Sequence, residues 1–255
     1  MIFFKDYPFI VFIISFFLLW FSALFGAFVL RKWRAPDTVT REDFSIVQAS
    51  TLSLLALLIG FSFSMSIGRY DQRKNYEKEE TNAIGTEYLR AELLPANETV
   101  KLKAMLKDYL DLRILFYTTS NKQELQQINK RTAALQADMW AVVREPAKAQ
   151  PSPIGSLTVS GMNDVLNSQR HTQAAWLNRI PIAATVLMTL IAMFGNAMLG
   201  YSSRSPESER RLFLLLPVIV SIAFLLIMDI DSPSWGIIRV VPDNLISLAE
   251  SLRGQ

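Results

Sequence analysis

Little in this 255-residue chain is equipped for covalent chemistry. It carries one histidine, His171, in the polar stretch Ser-Gln-Arg-His-Thr-Gln, and no cysteine. A disulfide or a thiolate metal site is therefore excluded, and the lone imidazole reads as an exposed or headgroup-facing side chain rather than a general base. There is no G-x-S-x-G, no Walker loop, no H-E-x-x-H and no dinucleotide fingerprint. Such a chain points away from an enzyme and implies no metal or cofactor.

The residues whose spacing suggests a function are of another kind. Ile59, Phe63 and Ile67 follow Leu55 at every fourth position, forming one bulky apolar stripe. A ring of such side chains contributed by several subunits makes a constriction able to gate ions by dewetting. Gly60, Ser64 and Gly68 share the same spacing on a neighbouring face, where small residues let helix backbones approach; packing inside the helix's own bundle is the expected use. Arg69 is the first charge beyond the stripe, placed to snorkel to headgroups or to stand at a pore mouth. The charges that follow, among them Arg73, Glu77, Glu79, Glu80, Glu87 and Arg90, come in both signs. They read as a solvated face whose exposed pairs contribute about 0.3 to 0.5 kcal/mol each. Asp229 and Asp231 close a late apolar run, where carboxylates need pairing or water, and Arg239 is a candidate partner.

These residues are held by long apolar elements. Hydrophobic residues make up 51% of the chain, and the mean hydropathy is +0.23, high for a soluble protein. The excess lies in four runs, 8–30, 46–67, 181–201 and 212–228, none of which contains Lys, Arg, Asp or Glu. A hydrocarbon core of roughly 30 Å needs about 20 helical residues, so all four are long enough to span it. The first is read as a retained span, because it exceeds a signal peptide's apolar core and no small-residue cleavage site follows.

Short basic connections join the runs in pairs. The first contains Arg31, Lys32, Arg34 and Arg41 with Trp33 as an interface anchor, and the second Arg204, Arg210 and Arg211. Weighting toward short loops places these connections inside. The second run continues without proline to Pro95, predicting one helix of about 50 residues and roughly 75 Å. Asn97 is the expected N-cap of the next helix, and Ser120 with Gln123 fits a capping box for another reaching about Arg144. Pro146, Pro151 and Pro153 then mark a break, after which helical spacing resumes from Leu157. No hairpin signal of the β type appears, so the class is all-α. The chain divides into a first transmembrane hairpin (1–67), a helical extramembrane domain with a Pro-rich break near 146–153 (68–180), a second hairpin (181–230) and a C-terminal tail (231–255). With 26 basic and 23 acidic residues, the charge is too balanced for a nucleic-acid binder.

The segment from Gly60 to Pro95 reads GFSFS, then RYDQR, then NAIGTEYLRAELLP, and resembles the bacterial bestrophin-like membrane proteins. Asp229-Ile230-Asp231 followed by Gly236, Ile237, Ile238, Arg239 and Val240 is similar to that family's C-terminal motif. The resemblance covers both hairpins and most of the helical domain. It implies remote kinship with bestrophins, pentameric anion channels whose second span lines the pore with an Ile and two Phe one turn apart. Ile59, Phe63 and Ile67 are the corresponding positions, with Ile67 standing where the last Phe would be, and no counterpart of the bestrophin calcium clasp is evident. A multi-pass protein of the bacterial inner membrane follows, with the lipid bilayer, further copies of itself and an inorganic anion as partners. Two functions remain open: an oligomeric channel lined by the second span, or a non-conducting scaffold or sensor whose helical domain binds a protein.

Overall fold

The computed structural model describes residues 7–33, 39–202 and 212–254. Every regular element among them is helical: α1 (Pro8–Phe28), α2 (Val39–Arg90), α3 (Ala96–Thr118), α4 (Lys122–Ala149), α5 (Pro153–Leu177), α6 (Ile182–Ser202), α7 (Leu212–Asp231) and α8 (Asp243–Arg253). Among the described residues, the helical stretches that contain a window long and apolar enough to cross a membrane are Pro8–Phe28, Phe44–Leu93, Pro153–Ser202 and Phe213–Asp231; the two of 50 residues extend well beyond that window, and each stretch overlaps one of the four uncharged runs. Arg34, Arg204, Arg210 and Arg211, on which the reading of sidedness rested, lie outside the described residues.

Helix α2 runs for 52 residues, past the end of its apolar segment and through the charged one. It stops because Pro95 forbids helical geometry at the residue before it: after a 3₁₀ turn at Ala91–Leu93, Leu94 is extended (φ −86°, ψ 163°). The next N-cap is Pro95 and not Asn97, which sits inside the first turn of α3. Thr99 instead ties off the preceding turn, its hydroxyl lying 2.9 Å from the carbonyls of both Ala91 and Leu94, which share its one proton. Likewise Asn121, one residue after Ser120, caps α4, its side chain accepting from the amides of Gln123 (2.9 Å) and Glu124 (3.4 Å). The proline break is shorter than its composition suggests. Pro146 lies within α4, and Ser152 already caps α5, accepting from Gly155 N at 3.0 Å with Pro153 at the first helical position.

The chain forms two compact units, one of residues 1–68 and 179–238, the other of residues 69–178 and 239–255. In the first, α1 packs on both α6 and α7. Backbone touches backbone there: a Cβ on Gly26 would collide with the Ala197 carbonyl, and one on Gly200 with the Ala23 carbonyl. Small-residue packing of this kind is how helices associate where lipid and protein are equally apolar. Leu19, Leu55, Met188, Ala192, Val220 and Phe224 complete the core.

In the second unit, α3, α4, α5 and α8 enclose the distal part of α2 around Ile84, Leu102, Leu106, Met139, Met162 and Leu245. The C-terminal segment is thus a folded part of this unit. Glu77 serves as the cap that α8 lacks in its own sequence, accepting from Leu245 N (3.0 Å) and Asn244 Nδ2 (2.6 Å). Gly85 lets α8 close on α2, since a Cβ there would stand 3.3 Å from Leu248 Cδ1.

Candidate functional site

The apolar part of α2 presents two faces. Leu55 and Ser66 are buried, and Leu58, Ile59 and Ser62 are half-buried; Ser62 Oγ donates to Met188 Sδ at 3.1 Å. These positions follow spacings of three and four and form the face turned into the bundle. A strict every-fourth stripe advances about 40° around a helix at each step. Hence Leu55 begins inside the bundle, Ile59 packs against its edge, and Phe63 and Ile67 emerge with 37% and 39% of their surface exposed. The stripe therefore divides, and Phe63 with Ile67 is the part left open within one chain.

Gly60, Ser64 and Gly68 share the open side. A Cβ added at Gly60 or Gly68 would meet nothing within 4 Å, so these residues do not pack inside their own bundle, contrary to the expectation drawn from their spacing. The equivalent work is done by Gly26 and Gly200, which stand in the every-fourth sets Ser22–Gly26 and Ala192–Asn196–Gly200. Between α1, α6 and α7 lies a cavity of about 340 Å³ lined by Ile14, Leu18, Met188 and Phe224 among others, with no charged side chain in its walls. Ser15, Thr185 and Thr189 are the polar residues in its otherwise apolar lining.

The carboxylates closing α7 are buried and bonded to backbone. Asp229 accepts from Ile237 N and Ile238 N, both at 2.8 Å, and Asp231 accepts from Ile180 N at 3.0 Å. Gly236 is required by this turn, because a Cβ would collide with the Asp229 carbonyl. Arg239, the expected side-chain partner, is exposed and donates to Ser120 Oγ at 3.3 Å. Asp229 thus clasps the chain after α7, and Asp231 holds the segment that leads into α6. Among the described residues no group of three or more His, Cys, Asp or Glu is placed to hold a metal.

The charged segment of α2 is not the solvated face its composition suggests. Arg73, Glu77, Glu80 and Glu87 are buried, whereas Asp71 and Glu79 are exposed. Residues 73, 77, 80, 84, 87 and 91 follow core spacing, so the charges occupy the buried stripe itself. Glu80 forms an ion pair with Arg113 of α3, both fully buried, and accepts from Tyr117 Oη and Thr172 Oγ1 at 3.2 Å each. Burial disfavours the Arg113 charge, but the Glu80 carboxylate outweighs it and raises the guanidinium pKa. Burial, reinforced by Glu80, likewise raises the Tyr117 phenol. Arg113 continues the spacing of Leu102, Leu106, Tyr109 and Phe116, so its position marks a core residue and only its charge argued against one.

Arg69 is half-buried, and its carbonyl accepts from Arg73 Nε at 3.3 Å. Arg90 donates to the Leu157 carbonyl at 3.4 Å and lies 3.8 Å from Asp164. His171 is exposed, with its ring 5.6 Å from that of Tyr76. Asn196 and Ser221, each fully buried in the first unit with an oxygen lacking a hydrogen-bond partner, went unremarked in the sequence reading, although polar residues inside apolar runs are a recognised signal.

Known structures share this architecture. A tryptophan-to-alanine variant of a bacterial bestrophin homologue from Klebsiella pneumoniae matches with a TM-score of 0.64 at 14% identity, over 96% of this chain and 97% of that one. A zinc-phased structure of a bestrophin homologue from the same organism matches with a TM-score of 0.61 at 13% identity, over 93% and 98%. A third, described as a membrane protein with a leucine-to-alanine change, gives 0.64 at 13% identity, over 95% and 99%. No curated protein matches the chain in sequence. Identities this low establish the shared fold, while the family model for the Bestrophin-like domain matches residues 11–245, reaching into all four apolar runs and most of the helical unit. This all-α membrane protein belongs to the bestrophin-like family.

Proposed function

We propose that the protein assembles as a homo-oligomer in the bacterial inner membrane and conducts inorganic anions along an axis surrounded by α2. The observation that carries this reading is the open side of α2: Phe63 and Ile67 are bulky and apolar yet left partly uncovered by their own bundle, with unobstructed Gly60 and Gly68 beside them. Side chains on that side are free to meet copies of themselves around an axis, and the small residues allow helices of adjacent subunits to approach. Phe63 and Ile67 form the constriction, Ile59 borders it, and Arg69 stands at the first charged position beyond it. A single unit is an apolar bundle, so conduction requires assembly. The pentameric count belongs to the kinship with bestrophins.

The test is chloride flux into liposomes carrying protein whose oligomeric state has been fixed by mass photometry. Replacing Phe63 with Ala removes apolar surface from every subunit at once, so the neck wets and flux rises. Ser62→Ala, about 100° around the helix and turned toward Met188, controls for damage to the span. A monomeric protein, or unchanged flux in assembled Phe63→Ala protein, would overturn the channel and leave a scaffold whose helical unit binds a partner.

A further inference from the structure

Glu87 plays no part in this account of conduction, and its surroundings are unlike those of the other buried carboxylates on α2. Glu77 caps α8 and Glu80 is paired with Arg113, but Glu87 is fully buried with neither oxygen bonded. It lies 20 residues beyond Ile67, well outside the apolar segment. Helix α5 crosses directly over it: a Cβ on Gly161 would collide with the Glu87 carboxylate and stand 2.7 Å from Arg90 Nη1. Contact at a glycine leaves no room for a water shell.

Among the described residues, the charged groups around it are few. Its own helix supplies Arg90, whose guanidinium is turned to the Leu157 carbonyl and Asp164. Helix α5 supplies Asp164. Helix α3 presents Lys103 and Lys107, but their ammonium groups lie over the Tyr88 ring at 4.7 and 5.7 Å, and Lys103 also bonds Glu92. Helix α8 meets α2 at Glu77 and Gly85, before Glu87 is reached. An ionised carboxylate without water or a donor is strongly disfavoured, whereas the protonated acid is tolerated.

We propose that Glu87 is a proton-binding site that couples the docking of α5 on α2 to pH: protonated, it lets Gly161 close over it, and ionised, it draws in water and loosens that contact. Burial pushes its pKa from the ordinary 4.5 up to about 8, with Arg90 opposing the shift and Asp164 adding to it. The sign follows. The docked state holds a proton that the open state releases, so docking is strongest below about pH 4.5, weakens as pH rises, and levels off above about 8.

The experiment is hydrogen exchange of residues 153–177 in the full-length protein in nanodiscs, corrected for the intrinsic pH dependence of exchange. One linked proton lowers protection by at most about tenfold per pH unit, and the slope is already flattening near 8, so protection should fall roughly fiftyfold between pH 6 and pH 8. Glu87→Gln, a permanent stand-in for the protonated acid, should keep wild-type protection at pH 6 and lose the slope. Asp164→Asn removes a neighbouring charge at an exposed site and should move the levelling-off to lower pH, which keeps the proposal testable if Glu87→Gln fails to fold. A flat wild-type profile, a Glu87→Gln profile that tracks wild type, or an Asp164→Asn profile with an unmoved plateau would overturn it. Each measurement reads the helical unit alone and is independent of whether the protein conducts.

Discussion

The Glu80–Arg113 pair permits a quantitative test of how the helical unit is held together. Both side chains are fully buried, and two further donors, Tyr117 Oη and Thr172 Oγ1, converge on the same carboxylate. Arg113→Met leaves the carboxylate with two hydroxyls and no cation. Glu80→Met leaves a guanidinium sealed beneath the Phe116 ring, 4.3 Å from its centroid. Breaking a buried pair from one side costs about 3 to 5 kcal/mol, because the survivor is an uncompensated buried charge. The double variant should be far milder than the sum. It removes both charges, and the two hydroxyls, already 3.5 Å apart, can turn to one another. A net cost within about 2 kcal/mol of wild type is expected. Trp176 is a built-in reporter, its ring 5.0 Å from Tyr117 and 5.1 Å from Phe116. Melting followed through Trp176, with the other tryptophans replaced by Phe, should show each single variant roughly 10 to 20 °C below wild type and the double variant well above either. Additive losses, or a single variant within about 1 kcal/mol of wild type, would show that the pair is not the uncompensated-charge trap described here.

Two further outcomes follow from the packing. Gly200→Leu should destabilise the subunit itself by about 1 to 3 kcal/mol or more, since the new side chain meets the Ala23 backbone, whereas Gly60→Leu should leave the subunit folded and lower the oligomer fraction seen by light scattering. Glu77→Ala removes the donor-accepting cap of α8 and should cost about 0.5 to 2 kcal/mol, detected as faster proteolytic clipping of the C-terminal helix while α3 and α4 stay resistant.

Much of this protein was legible without coordinates. Spans are dictated by the bilayer, whose thickness requires a charge-free run of fixed length, so counting residues located all four. Proline dictated the end of α2 just as locally, because its ring restricts the residue before it whatever the tertiary context. The caps were misplaced by a residue or two: α3 starts at Pro95 with no side-chain cap, ahead of Asn97, and at α4 Asn121 wins over the neighbouring Ser120, a choice only the backbone path makes. What the sequence could not decide was which way each helix turns. A stripe at every fourth position drifts around its helix, so Leu55, Ile59, Phe63 and Ile67 pass from buried to open, and packing on α6, where Ser62 meets Met188 and Leu52 meets Gly195, fixes where that crossing falls. The charged run of α2 shows the same limit. Charge predicts exposure on average, but Arg73, Glu77, Glu80 and Glu87 stand where the core lies, and burial is sustained by partners brought from remote parts of the chain, Arg113 for Glu80 and Leu245 for Glu77. For Glu87 the tertiary fold supplies no such donor, only the bare backbone of Gly161 pressed against the carboxylate, a contact set by helix packing and invisible to any local pattern of residues.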